Sequence, residues 1–200
     1  MIMLDDLLGA ADFRAAVDGL AAEFRAGRRL PPVHQLGLVV PDVEAAAAEL
    51  EARGIGPFFI AGGAPVLWRE RGQERSFKGK LGMAGHKGFE LELLEPGMGS
   101  DFYRSCLDGD GKIVVQHLGF LVDDVDAWAE GLAVPVHVRG RIKTGPLVTE
   151  FVYLDTMEKL GIIIEFINWR LFGIRIKPRG GLYHALGRFE KLIGKRSLSV

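Results

Sequence analysis

The 200-residue chain holds one cysteine, Cys106, no long unbroken apolar run, and almost no net charge, −1 at pH 7. A lone cysteine excludes an internal disulfide framework and is compatible with a reducing compartment. A membrane-spanning helix needs about 20 predominantly apolar residues, and no segment approaches that. The opening "MIMLDDLLGAADFRAAV" carries acids where a secretory signal carries bases. The sequence therefore predicts a cytoplasmic protein. A charge near zero argues against a nucleic-acid binder that relies on phosphate contacts. No Ser-His-Asp order emerges, and "AGGAP" and "PRGGL" lack the spacing and context of phosphate loops.

What is present is an ordinary globular composition, 48% hydrophobic and 26% charged, and an internal repeat. "VHQLGLVVPDVEAAAAEL" (33–50) and "VQHLGFLVDDVDAWAEGL" (115–132) match without a gap at nine of eighteen positions. In each copy a β-branched, apolar run predicts a strand and the Ala/Glu-rich run after it a helix. Short strand candidates follow the first copy, "GPFFI", "APVLWRE", "RSFKGKLGMA" and "GFELELLEP". The second is followed by "VPVHVRG", "LVTEFVYLD" and "GIIIEFINW". The expected class is α+β, with two tandem β-α-β-β-β units over 33–111 (with a connecting segment) and 112–168. Each unit covers one sheet face with its helix and turns the other towards a shared centre.

Outside the units, residues 1–32 form an expected helical arm. There Leu4, Leu7, Leu8, Ala11, Val17, Leu20 and Phe24 recur at roughly helical spacing through 3–27. Residues 169–200 form a basic extension. From Arg170 onward eight Lys or Arg face one acid, Glu190, so this stretch carries +7 and the rest of the chain −8. Within it Leu182, Ala185, Leu186, Phe189, Leu192 and Ile193 make a helical stripe near Arg188, Lys191 and Lys195. Three uses remain open for that helix: packing on the body or a dimer mate, contact with a membrane surface, or clasping substrate phosphates.

Strand side chains alternate faces. The repeat register makes Gln35 in the first copy equivalent to His117 in the second, each two residues before a glycine. The closing strands "GFELELLE" and "GIIIEFIN" superpose Glu92 on Glu165. Four equivalent positions thus hold oxygen or nitrogen donors, three of them in otherwise apolar strands. A carboxylate inside "GIIIEFI" needs a partner. A divalent cation suits these donors; an arginine or backbone donors are the plainer alternative.

The phrase "HLGFLVDDVDA", the run "LELLEP" and the closing "YLDTMEKLGIIIEF" resemble the vicinal oxygen chelate superfamily, over about residues 33–168. Its members include glyoxalase I, methylmalonyl-CoA epimerase, extradiol dioxygenases and bleomycin-resistance proteins. The resemblance implies a cupped sheet with metal ligands on the first and last strands of each unit, here Gln35, Glu92, His117 and Glu165. It implies a bound divalent ion (Zn, Ni, Co or Mn) and enolisation beside a carbonyl, with Glu165 as the base, in an isomerase, epimerase or lyase. "GPFFI", Trp68, Phe77 and Tyr153 favour an apolar pocket for a bulky acyl thioester. The second acidic base known in epimerases of this kind has no clear counterpart. "SFKGKLGMAGH" offers Lys78 and Lys80, and Glu70, Glu74 and Glu90 are unplaced candidates nearby.

Two other readings stand beside this one. A one-residue bulge would present His34 instead of Gln35, a two-histidine, one-glutamate set suited to an Fe(II) dioxygenase. A non-catalytic binding protein would keep the cavity without needing the donors. His86, His137 and His184 lack partners at a telling spacing, and Cys106 reads as a packed or idle thiol. The helical ends make a homodimer the expected assembly.

Overall fold

Asp42 and Asp124 hold the same place in the repeated phrase and do the same job. Asp42 accepts from the Ala45 N–H at 2.9 Å, and Asp124 accepts from the Asp126 and Ala127 N–H groups at 3.1 and 3.0 Å. Each satisfies donors that a helix start leaves free. The turn from strand to helix is therefore encoded twice. The computed structural model describes residues 2–178, 180–194 and 198–199.

The chain begins with β1 (Ile2–Met3) and three short helices, α1 (Leu4–Leu8), α2 (Phe13–Leu20) and α3 (Ala22–Arg25). The first unit comprises β2 (Val33–Val39), α4 (Val43–Ala52), β3 (Phe59–Gly63), the strand pair β4 (Leu67–Glu70) and β5 (Gln73–Glu74), β6 (Gly79–His86) and β7 (Phe89–Leu94). A 3-10 turn at Arg104–Cys106 lies between the units. The second unit comprises β8 (Val114–Leu121), α5 (Val125–Leu132), β9 (Val136–Thr144), β10 (Leu147–Leu154), α6 (Met157–Leu160) and β11 (Ile163–Leu171). β12 (Ile174–Ile176), α7 (Gly180–Leu192) and β13 (Leu198–Ser199) follow.

One curled sheet runs in the order β13-β3-β6-β7-β2-β8-β11-β10-β9-β4-β5, with β1 beside β8 and β12 beside β11. The two units occupy mirrored halves: β3-β6-β7-β2 in one, β9-β10-β11-β8 in the other. β2 and β8 join them as antiparallel neighbours, and each lies parallel to the last strand of its own unit. On one sheet face Leu36, Leu38, Leu91, Leu93, Leu118 and Phe120 pack against the helices through Ala47, Leu50 and Val125. The opposite face lines the concave side.

Three expectations change. The arm is not one helix: α1 ends at Gly9, and Asp12 caps a fresh start at α2 by accepting from the Ala15 N–H at 3.0 Å. Leu4, Leu7, Val17 and Phe24 are still buried, but Ala11 is exposed. Second, "APVLWRE" leaves its own unit. Residues 64–66 carry the chain from β3 to the far edge of the sheet, where β4 pairs antiparallel with β9. That crossing nearly closes the sheet around its concave side. Third, α7 packs on the body, but not by the expected stripe. Its buried face is Tyr183, Gly187 and Glu190, while Leu182, Phe189, Leu192 and Ile193 are exposed. A Cβ on Gly187 would sit 2.4 Å from the Phe58 carbonyl oxygen, and Glu190 accepts from the Ile60 N–H at 2.8 Å. A small residue and a hydrogen-bonded acid thus form the seam. Lys195 lies outside the described residues.

Candidate metal centre

The antiparallel β2–β8 ladder sets Gln35 opposite Gly119 and Gly37 opposite His117. The parallel ladders set Glu92 beside Gly37 and Glu165 beside Gly119. Each glycine therefore lies between two donors, and its missing side chain is their space. A Cβ on Gly37 would lie 1.8 Å from His117 Cε1, inside the imidazole; one on Gly119 would lie 2.9 Å from Gln35 Cβ. This is why a polar side chain followed two residues later by glycine occurs in both repeats.

The donors converge. His117 Nε2 lies 3.1 Å from Glu165 Oε2 and 3.5 Å from Glu92 Oε2. One ligand atom from each of the three residues falls within 4.8 Å of the others. His117, Glu165 and Gln35 are buried, and Glu92 is partly so. The Gln35 amide nitrogen makes a long 3.9 Å contact with Met83 Sδ, and its Oε1 has no hydrogen-bond partner. Three of the four expected site residues, Glu92, His117 and Glu165, thus converge, and Gln35 lines the same cavity as the two carboxylates.

The ladder slips by one residue before each donor, leaving His34 extra in β2 and Gln116 extra in β8. The bulge considered from the sequence exists, yet Gln35 keeps its position opposite Gly119. His34 Nε2 turns to Glu90 Oε1 at 3.1 Å. In the second copy Gln116 Oε1 lies 3.0 Å from His117 Nδ1, and its amide nitrogen lies 3.4 Å from Cys106 Sγ. A hydrogen bond from Nδ1–H to Gln116 leaves Nε2 as the free, metal-competent nitrogen. Sequence reasoning assigned no role to Gln116, although its place in the swapped His-Gln pair was the available signal.

Two carboxylates packed on one imidazole dominate the electrostatics. Burial pulls the His117 pKa down, but Glu165 and then Glu92 outweigh it and raise it to about 9. Burial pushes Glu165 up to about 7 against the opposing pull of His117. Without a metal, the proton on the imidazole is the nearest positive charge. Tyr153 stands opposite Glu165 in the β10–β11 ladder and against the His117 ring at 4.9 Å. Its hydroxyl lies 3.1 Å from that of Tyr103. Burial first, then the nearby carboxylates, push both phenols well above their ordinary range, so both stay protonated. The sequence reading counted Tyr153 only as apolar lining and did not single out Tyr103.

Gln35, Glu92 and Glu165 line a cavity of about 380 Å³ whose walls include Phe59, Phe77, Leu81, Phe151 and Ile167. Trp68 lies behind the wall, stacked on Phe77 at 4.4 Å. Lys80 and Lys143 also border the cavity, and Lys80 pairs with Glu44 at 2.9 Å. The remaining acid candidates are engaged elsewhere. Glu70 accepts from the Trp68 indole at 2.6 Å and from the Ser100 hydroxyl, and exposed Glu74 pairs with Arg69 at 2.8 Å. Lys78 bridges to Met98 outside the site. His86 meets Phe13 edge-on, His137 pairs with Asp155, and His184 bonds the Gly85 backbone. No helix among the described residues is long and apolar enough to cross a membrane.

No curated protein matches the chain by sequence. Among solved structures it is similar to a methylmalonyl-CoA epimerase in complex with methylmalonyl-CoA and NH4+. That match has 19% identity, covers 70% of this chain and 94% of the other, and has a TM-score of 0.44. A Streptomyces coelicolor methylmalonyl-CoA epimerase variant in complex with 2-nitronate-propionyl-CoA matches with 19% identity, coverages of 70% and 97%, and a TM-score of 0.43. The Mycobacterium tuberculosis methylmalonyl-CoA epimerase matches with 16% identity, coverages of 68% and 85%, and a TM-score of 0.41. The sequence profile of the Glyoxalase/Bleomycin resistance protein/Dioxygenase superfamily matches residues 34–133, from the first donor strand through the helix of the second unit. With half its length under that profile, the chain belongs to this superfamily.

Proposed function

We propose that the protein is a metal-dependent isomerase or epimerase, or a related lyase, acting by enolisation next to the carbonyl of an acyl thioester. The observation that carries this reading is the Glu92–His117–Glu165 cluster, two of its members buried, at one apolar cavity, with the unpartnered Gln35 Oε1 beside it. Two carboxylates, an imidazole and an amide oxygen, with no sulfur among them, suit Zn, Ni, Co or Mn. A divalent ion held there supplies Lewis-acid polarisation of the substrate carbonyl.

The chain's own residues supply the rest. Glu165, facing the cavity beside the ion, takes the α-proton and returns it. Gln116 keeps His117 Nε2 directed at the two carboxylates. The Tyr153 hydroxyl, held protonated beside Glu165, is a donor available to the enolate oxygen. The apolar walls exclude water and suit a bulky acyl group, and Lys143 at the cavity's border suits an anionic substituent such as a phosphate. The Fe(II) dioxygenase reading is disfavoured because its second histidine, His34, is engaged by Glu90.

The test is α-proton exchange in deuterated water, followed by NMR, over panels of acyl-CoA esters and hemithioacetals. Exchange that stops with chelator and with Glu165→Gln supports the proposal. Exchange unaffected by Glu165→Gln removes the assigned base. Absence of any exchange with metal bound favours the non-catalytic binding reading.

A further inference from the structure

Ten large apolar side chains stand exposed among the described residues, and seven of them lie between Leu171 and Ile193. That concentration marks one surface rather than a scatter. Leu171 and Ile176, flanking the β11–β12 turn, and Leu182 and Leu186 on α7 line the same cavity. The turn and the helix are therefore neighbours around its mouth. Phe172 at the turn is 78% exposed, Ile174 72% and Leu192 83%. Along α7, Leu182, Leu186, Phe189 and Ile193 form one stripe beside the buried seam.

Charge within this segment is nearly all positive, and acids of neighbouring elements meet two of its cations: exposed Asp123 lies near Arg175, and Glu51 takes Lys191. Glu190 is the only acid after Arg170, and it is buried with its carboxylate on the Ile60 N–H. Arg175, Lys177 and Arg188 are exposed among the apolar residues, while Lys191 pairs with Glu51 at 2.6 Å. Two copies set face to face would oppose cation to cation. An apolar patch with exposed cations such as Lys177 and Arg188 among its residues is complementary to a lipid interface with anionic headgroups.

We propose that the C-terminal extension docks the protein on an anionic lipid surface. Phe172, Ile174, Phe189 and Leu192 enter the interface, and Arg175, Lys177 and Arg188 meet the headgroups. Docked this way, the cavity mouth faces the lipid. The proposal does not depend on the reaction the cavity hosts.

Co-sedimentation of the full chain with phosphatidylcholine vesicles, with and without phosphatidylglycerol, tests it. Binding to the anionic vesicles exceeds binding to the neutral ones by at least about tenfold and weakens as salt is added. Phe172→Ser and Leu192→Ser, at positions too exposed to carry the fold, each weaken binding roughly tenfold. Arg188→Gln weakens it roughly fivefold. No binding, equal binding to both vesicles, or binding that ignores all three substitutions overturns the proposal. So does a concentration-dependent dimer, dissolved by the same substitutions, in a protein that leaves vesicles unbound.

Discussion

Replacing Gly37 by alanine adds one methyl group where the structure has no room for it. The new Cβ would lie 1.8 Å from Cε1 and 2.1 Å from Nδ1 and Nε2 of His117, against about 3.5–4.0 Å for an ordinary contact. His117 cannot retreat easily, because it is fully buried between Gln116 at its Nδ1 and the Tyr153 ring. The imidazole must leave the site. Loss of an outer-shell partner costs about 10–100-fold in metal affinity, and displacing a ligand costs at least the upper figure, about 2.7 kcal/mol. The matched change, Gly119→Ala, meets Gln35 Cβ at 2.9 Å, Gln35 Oε1 at 3.0 Å and Ile167 Cδ1 at 2.8 Å. Two of those atoms are side-chain ends that can shift, so its cost is about tenfold or less by the same scale. Calorimetric titration with Co(II) or Ni(II) reads both affinities, and circular dichroism with thermal melts reads the fold. The pair Gly37→Ala/His117→Ala relieves the overlap and recovers much of the lost melting temperature without recovering metal binding. Wild-type affinity in Gly37→Ala, or a larger loss in Gly119→Ala, would refute the argument.

Three further outcomes follow from the same geometry. The folded protein holds Glu165 near 7 and His117 near 9, above their ordinary values of 4.5 and 6.5. The stability linked to these upward shifts is complete below the ordinary values and is lost as pH rises through the folded ones. The melting temperature of chelator-treated protein therefore falls between pH 5 and 9 by more than that of metal-loaded protein, and loading at pH 7 releases protons detectable by titration in buffers of different ionisation enthalpy; equal slopes would contradict this. Tyr153→Phe keeps the ring and removes the hydroxyl, so α-proton exchange falls by about a hundredfold or more while metal affinity changes less than threefold, measured in parallel by NMR and calorimetry. Asp124→Ala removes two hydrogen bonds at the start of α5 and costs about 1 kcal/mol, a shift of about 2–4 °C in a melt, with no effect on metal affinity.

The repeat and the four donors were legible because duplication puts the same residue types in the same register on separate strands, so Gln35 and His117, or Glu92 and Glu165, could be compared without a structure. The purpose of the glycines two residues later was not legible, since it depends on which strand lies opposite. Nor was the role of Gln116, which a ladder slip brings to His117 Nδ1. The crossing of β4 to the far sheet edge escaped because a strand's own residues record its faces and not its neighbour. On α7, hydrophobic periodicity pointed the wrong way. Gly187 and Glu190 are buried for close approach and a hydrogen bond, which a count of apolar residues passes over. Tyr153 was read by its ring, whereas its hydroxyl is what the site presents.

Anomalous diffraction from crystals soaked in cobalt tests the central claim most directly. One strong peak is expected among Glu92, His117 Nε2 and Glu165, with ligand distances of about 2.0–2.2 Å and the Gln35 oxygen turned towards it. A map with no peak there, and the His117–Glu165 contact intact, would contradict the metal centre.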